Sequence, residues 1–326
     1  MRKGFVAGKF MPLHEGHLAL IEFAQQHCDR LYIILCFTDN EPIDGLMRKH
    51  WLQYQFAASE NIEVLSFFYD ERILPNTSVS SEDASRVWAI ELKKLVPDAD
   101  IVFSSEKYGN YLANFMDIEH MLFDEQRKQV PIAASQILED PFKYWEFIPM
   151  TVQPYYVKKI VLLGSESTGK SILAGKLAAH FNTIFVAESA RDTIDKTGEC
   201  LYDDLHRIAI LHAQRVNTAA ENSNRILFID TDINITRSYS RFLFGKELLV
   251  DPWIEAANTA DLYLFLEPDC DFVQDGTRLE ENDRNKLSLS YTAELEQRNI
   301  NFVSIGGNWQ ERFDKAVSII KQKYFA

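Results

Sequence analysis

Two histidines stand close together in GKFMPLHEGH (residues 8–17), after a short apolar run and ahead of a helical pattern. Imidazoles projecting from the start of a helix can hydrogen-bond a nucleotide's phosphates. They stabilise charge building at a reacting α-phosphate, and the helix N-terminus assists them. No covalent intermediate is required, because positioning and charge compensation can carry such a transfer. His14, His17 and the neighbouring Lys9 are therefore candidate catalytic residues. Gly8 lets the chain pass over a ligand, Gly16 permits close approach, and Phe10 belongs to the same nucleotide-binding frame.

A second stretch, GSESTGKS (164–171), matches G-x-x-x-x-G-K-[ST] without a mismatch. It follows an apolar run and opens an amphipathic helix, the context this phosphate-binding loop requires. Gly164, Ser165, Glu166, Ser167, Thr168 and Gly169 form the cradle, whose backbone N–H groups attract phosphate oxygens. Lys170 is placed to reach the β- and γ-phosphates, and the Ser171 hydroxyl to bind Mg2+. RILFIDTD ends a buried strand with Asp230 and Asp232. One carboxylate is expected near the metal and one near an acceptor hydroxyl, against the plainer alternative of strand-end acids capping a turn. VAESARD (186–192) offers Glu188 and Arg191 to an acceptor, and DGTRLEENDR (275–284) offers Arg278 and Arg284 as a phosphate-covering lid. For both stretches a solvated, ion-pairing face is the alternative.

These residues need a scaffold that delivers loops to one edge of a sheet. Strand-like runs (GFVAGKF, LYIILCF, DIVFSS) alternate with helical patterns (EGHLALIEFAQQHC, ASRVWAIELKKL). Leu18, Ile21, Ala24 and Cys28 repeat at helical spacing. The β-α-β rhythm predicts α/β architecture with doubly wound parallel sheets, whose ligands lie beyond the strands' carboxyl ends. The rhythm stalls at 139–156, where three prolines and an aromatic cluster predict a packed domain junction. It restarts at KKIVLLG, and RILFIDTD, DLYLFLE and INFVSIG supply further strands. Two domains are expected, 1–150 and 151–326.

The 326 residues suffice for both. A net charge of −14 argues against a large nucleic-acid surface but leaves room for a local phosphate cradle. No apolar run approaches a membrane span, and no secretory segment precedes the first strand. Four cysteines without metal-ligand spacing are expected to be reduced thiols in a cytoplasmic protein.

The chain resembles the NadR family, bifunctional nicotinamide-mononucleotide adenylyltransferase/ribosylnicotinamide kinase. The resemblance runs from about Gly4 to the C-terminus and rests on GKFMPLHEGH, IVFSSEKYG, FKYWEFIP, LLGSESTGKS, FIDTD and DGTR, in that order. FKYWEFIP weighs most, because a junction has no generic reason to recur. The resemblance implies an N-terminal Rossmann-like HxGH nucleotidyltransferase domain and a C-terminal P-loop kinase domain. The kinase would phosphorylate ribosylnicotinamide with ATP and Mg2+. The other domain would join nicotinamide mononucleotide to AMP, giving NAD and pyrophosphate. It also implies that Trp88 stacks on the nicotinamide ring, with a core tryptophan as the plain alternative, and that Ser104, Ser105 and Glu106 lie near the adenosine.

One departure bears on mechanism. Where the family carries a segment like ISATxIR, this chain has IAASQIL (132–138). Ser135 remains, Ala133 replaces a hydroxyl, and Leu138 stands in place of the arginine, with Arg127 or Lys143 as candidate substitutes. The alternatives are therefore a ribosylnicotinamide kinase whose N-terminal domain is a nucleotide-binding regulatory module, and a non-enzymatic nucleotide-dependent interaction protein. The resemblance is to the form that starts at the nucleotide domain, so direct DNA binding is not expected; a homo-oligomer stays open.

Overall fold

Apolar runs become the strands of two parallel sheets in a computed structural model describing residues 1–75, 81–165, 167–194, 200–269 and 281–325. For Arg191, Ile194 and residues 281–285 it describes the backbone alone. Two compact units result, Met1–Gln153 and Pro154–Ala326, against an expected division after residue 150. The chain stays in the first unit past the aromatic junction. There Phe142 and Trp145 meet edge to face at 5.9 Å between centroids, and Ile148 and Val152 are buried.

The first unit runs β1 (Lys3–Gly8), α1 (Glu15–Gln26), β2 (Arg30–Phe37), α2 (Gly45–Gln55), β3 (Ile62–Phe68), α3 (Glu82–Leu95), β4 (Ile101–Ser104), α4 (Tyr108–Met116), β5 (Glu119–Leu122) and α5 (Ala134–Glu139). Its strand order is β3-β2-β1-β4-β5, so the order reverses at β1. Crevices beyond the strand ends at such reversals are where open α/β sheets bind ligands. GKFMPLHEGH and SSEKYG leave from the carboxyl ends of β1 and β4, which pair directly. Capping sets where the helices begin. The Asp44 carboxylate accepts from Leu46 N at 2.7 Å at the start of α2, and Ser81 Oγ from Ala84 N at 3.4 Å at the start of α3. Cys28 lies beyond the end of α1, contrary to the expected spacing, and its thiol donates to Ala24 O.

After the short α6 (Gln153–Tyr156), the second unit runs β6 (Lys158–Leu163), α7 (Lys170–His180), β7 (Phe185–Val186), α8 (Ala190–Ile194), α9 (Tyr202–Ala220), β8 (Ile226–Asp230), α10 (Ile233–Phe244), α11 (Pro252–Asn258), β9 (Leu262–Leu266), α12 (Glu281–Gln297), β10 (Val303–Ile305) and α13 (Trp309–Tyr324). The order is β10-β9-β6-β8-β7, again reversing at the strand that precedes the glycine loop. Register sets Leu162 of β6 beside Asp230 of β8, so the strand-end acid arrives next to that loop. INFVSIG contributes only the three residues of β10, because residues 301 and 302 stay outside the ladder.

Phe228 is fully buried on β8 beside the central strand. Phe228→Ala should cost about 3–5 kcal/mol, the range for emptying a large core site. Urea denaturation measures this; a loss under 1 kcal/mol would mean this core is not close-packed.

Candidate active sites

In the first unit the backbone after Gly8 turns at Phe10, which adopts a left-handed φ of 47°, and enters α1 through His14. His14 is the N-cap: its backbone is extended and its Nδ1 accepts from the His17 N–H at 3.3 Å. That bond leaves the neutral ring's proton on Nε2. The two imidazoles stack with centroids 3.7 Å apart, and the buried Phe10 ring meets His17 edge-on at 5.0 Å. Phe10 therefore supports His17 as well as lining the cleft. A Cβ on Gly16 would come within 3.0 Å of the His14 ring, so this glycine makes room for the imidazole itself.

Both histidines face an open cleft of about 790 Å³ with Gly8, Ser105, Glu106, Tyr108 and Arg127. A second lobe of about 770 Å³ shares Ala7, Gly8, Glu106 and Tyr108, and is lined further by Lys9, Tyr69, Ser85 and Trp88. The lobes meet over the carboxyl end of β1. Trp88 is both packed and presented. Its Nε1 donates to Pro75 O at 3.1 Å and its ring meets Tyr69 at 4.8 Å, yet it walls the cavity.

Electrostatics sharpen this picture. Burial, and after it the Arg127 charge, lowers the His14 pKa to about 4. Burial, His14 and Arg127 together hold His17 well below its usual 6.5. Arg127 is exposed, and among the described residues it makes no ion pair. Its neighbour Asp124 does not neutralise it, because that carboxylate accepts from the N–H groups of Lys128, Gln129 and Val130.

Lys9 differs from expectation. Its ammonium pairs with Glu41 at 2.8 Å and Glu71 at 3.6 Å, on the Trp88 side of the cleft rather than beside the histidines. Ser104 is also corrected. It is buried, its hydroxyl donates to Glu106 O at 2.7 Å and bonds His120, so it shapes the turn and does not line the cleft as Ser105 and Glu106 do. Ser135 and Leu138 are exposed on α5, whose N-cap Ala133 offers no side-chain acceptor.

In the second unit Gly164 (φ 142°) and Gly169 (φ 83°) bracket the loop in conformations that disfavour side chains. Lys170 opens α7, and its Nζ donates back to Gly164 O at 3.0 Å and Ser165 O at 3.1 Å. Ser167 takes a left-handed φ, and Thr168 Oγ1 ties the loop to Ser165 O at 2.8 Å. Ser171 Oγ donates to Asp230 Oδ2. Asp230 is 0% exposed and its Oδ1 has no hydrogen-bond partner among the described residues. An orphaned carboxylate oxygen beside a hydroxyl is a fit for a hard divalent cation with oxygen ligands.

Asp232 is corrected toward the plainer reading. It caps α10: Oδ1 accepts from Asn234 N at 2.9 Å and Oδ2 from Asn234 Nδ2 at 2.6 Å. Burial raises its pKa to about 6, and both oxygens are engaged within its own turn. Glu188 follows β7 and is half-buried. The next residue, Ser189, bonds His212 Nδ1 at 3.3 Å, and His212 Nε2 donates to Thr231 O at 3.2 Å, tying this loop to the end of β8. Glu166, Arg278 and the side chains of Arg191 and Arg284 lie outside the described residues. Sequence reading missed His212, Tyr69 and Tyr108: each stands singly in an amphipathic or apolar run and carries no spacing signal.

A family model described as an AAA domain matches residues 159–312. The trifunctional NAD biosynthesis/regulator protein NadR of Escherichia coli (strain K12) is 32% identical, covering 98% of this chain and 82% of that protein. A nicotinamide-nucleotide adenylyltransferase of Thermococcus sibiricus is 26% identical over 48% of this chain and 84% of its own. A NadR protein solved in complex with NAD and AMP-PNP superposes over 100% of this chain and 96% of its own with TM-score 0.79, at 22% identity.

Proton titration of the histidines tests the electrostatic arrangement. His14 should titrate near pH 4, and Arg127→Ala should raise both midpoints, because a positive neighbour disfavours the imidazolium. The unfolded ring protonates first, so the stability given by a neutral His14 is full above pH 6.5 and declines toward pH 4. NMR of the imidazole protons reads this directly; midpoints unmoved by Arg127→Ala would place that charge elsewhere.

Proposed function

The chain belongs to the NadR family, and on that premise we propose that it forms NAD in two ATP-dependent reactions. The second unit transfers the γ-phosphoryl group of ATP to the 5′-hydroxyl of ribosylnicotinamide. The first unit joins the product, nicotinamide mononucleotide, to AMP from a second ATP. In that step a 5′-phosphate oxygen attacks the α-phosphorus, the bond to the bridging β-phosphate oxygen breaks, and pyrophosphate leaves. The cytoplasm is the proposed location.

The observation that carries the adenylyl half is the two-lobed cleft with stacked histidines, held neutral by burial, and an arginine that makes no ion pair among the described residues on one side. Its size suits two nucleotides meeting over Gly8. The Trp88 lobe takes the nicotinamide ring, and the histidine lobe takes ATP beside Ser105 and Glu106. His14 offers its Nε2–H to a phosphate oxygen. Arg127 supplies the fixed positive charge that Leu138 cannot, and a charge-assisted bond to phosphate is among the stronger hydrogen bonds available.

In the kinase half, Gly164 to Gly169 cradle the phosphates and Lys170 swings from the loop carbonyls to the transferring group. Ser171 and Asp230 would hold Mg2+, which when bound neutralises charge on the β- and γ-phosphates. Glu188, half-buried behind β7, is placed on the acceptor side.

The reading that keeps only the kinase rests on one feature: α5 presents Leu138, 39% exposed, where a cation is expected. Incubation with nicotinamide mononucleotide, ATP and Mg2+, followed by NAD and pyrophosphate, separates the two. NAD should form. His17→Ala should abolish it, and Arg127→Ala should slow it by about 10², both sparing phosphorylation of ribosylnicotinamide. Lys170→Ala should do the reverse. No NAD from an otherwise active kinase would leave the first unit a regulatory module.

The two strand-end acids separate as cleanly. Asp230→Asn should lower phosphoryl transfer by about 10² or more. Asp232→Asn preserves an N-cap acceptor and should leave it within about threefold. Equal losses in both would return Asp232 to the acceptor site.

A further inference from the structure

We propose that Trp309, the first residue of α13, is the platform on which the purine ring of the kinase-site nucleotide stacks. The inference extends the kinase reading by naming what holds the base. The phosphate loop accounts for the phosphates alone, and nothing in its sequence distinguishes a nucleotide from inorganic triphosphate.

Three observations converge on this indole. The first is position. A Cβ built on Gly169 would lie 2.2 Å from Trp309 Cη2 and Cζ3, so the six-membered edge of the ring rests on the last glycine of the loop. Any phosphate chain seated in that loop has its remaining nucleoside close to this ring. The second is support. Arg312, 1% exposed, lies against the indole with its guanidinium carbon 5.8 Å from the ring centroid. Arg312 is itself fixed: it donates to Gly307 O at 2.7 Å, to Thr168 O at 2.8 Å and to Glu267 O at 3.0 Å, and pairs with Asp269. The ring is therefore held on the same scaffold as the loop carbonyl of Thr168. The third is exposure. Trp309 remains 46% exposed, a large aromatic surface left open beside a site for an aromatic-bearing anion.

The helix start is built to present the ring in this place. Asn308 caps α13, accepting from Gln310 N at 3.0 Å and Glu311 N at 3.1 Å, and the Glu311 carboxylate accepts from Asn308 N at 2.8 Å. That closed box fixes the backbone on either side of Trp309. A flat contact reads the face of a base and not its edge. It favours a nucleotide over bare triphosphate, and does little to separate adenine from guanine.

The test is equilibrium binding of a nonhydrolysable ATP analogue with Mg2+ to the full chain. The component abolished by Lys170→Ala reports the phosphate loop, whether or not the chain phosphorylates ribosylnicotinamide, so failure of the kinase reading and failure of this proposal are told apart. Trp309→Ala should weaken that component about tenfold or more, the scale of one base–aromatic stack. Trp309→Phe should restore most of the loss, and tripolyphosphate should bind all three chains alike. Unchanged analogue binding in Trp309→Ala would overturn the proposal. Equal weakening of analogue and tripolyphosphate would also overturn it, because the indole would then only brace Gly169.

Discussion

A chain of net charge −14 must collect phosphate, and this demand governs both sites. In such a protein a cation is quickly neutralised by a neighbouring carboxylate. Lys9 is paired with Glu41, Arg48 with the same Glu41, Arg237 with Glu255, and Arg312 with Asp269. Those four hold structure together. Arg48, for example, is buried and donates to Lys9 O at 2.7 Å, pinning the loop that follows β1. Phosphate needs charge that has been kept out of such pairs. Asp124 keeps clear of Arg127 by accepting three backbone N–H groups, and Lys170 rests on loop carbonyls, which release it more readily than a carboxylate would. Cations kept out of carboxylate pairs, rather than many cations, mark the two sites.

Sheet topology then decides where these groups meet. Each unit places its critical loop after the strand at which strand order reverses, β1 in one and β6 in the other. The neighbouring strand on one side delivers the complementary residues: β4 brings Ser105 and Glu106, and β8 brings Asp230. One geometric rule therefore serves two chemistries. What differs is the loop. GKFMPLHEGH ends in a helix capped by an imidazole, whereas the glycine loop presents bare N–H groups and a lysine.

Much of this was legible in the sequence, because phosphate chemistry constrains local spacing. A histidine three residues after an N-cap histidine must lie on the same face, and a loop of fixed length between two glycines must wrap an anion. The parallel sheets followed from apolar runs such as LYIILCF, buried on both faces. β3 escaped notice because IEVLSFF is an edge strand, half-exposed along its length, and its pattern is blurred. The site was harder where a role depends on partners distant in sequence. Nothing around Lys9 announces Glu41 and Glu71, and nothing in FIDTD says that one aspartate faces a hydroxyl from α7 while the other folds back on Asn234. Arg127 was visible only as a nearby cation. Its standing comes from a turn that keeps Asp124 occupied.

The two halves also manage charge on different schedules, and this follows from what each must bind. On the kinase side the Lys170 ammonium rests on carbonyl oxygens, from which it can pass to phosphate oxygens. The histidines hold little charge at neutral pH, because burial and Arg127 keep them unprotonated. An arriving triphosphate opposes the second of these influences, the Arg127 charge. It places negative charge beside Arg127 and the rings, and negative charge there favours the imidazolium. Arg127 is the standing charge of the histidine lobe, kept out of carboxylate pairs among the described residues in an otherwise acidic molecule.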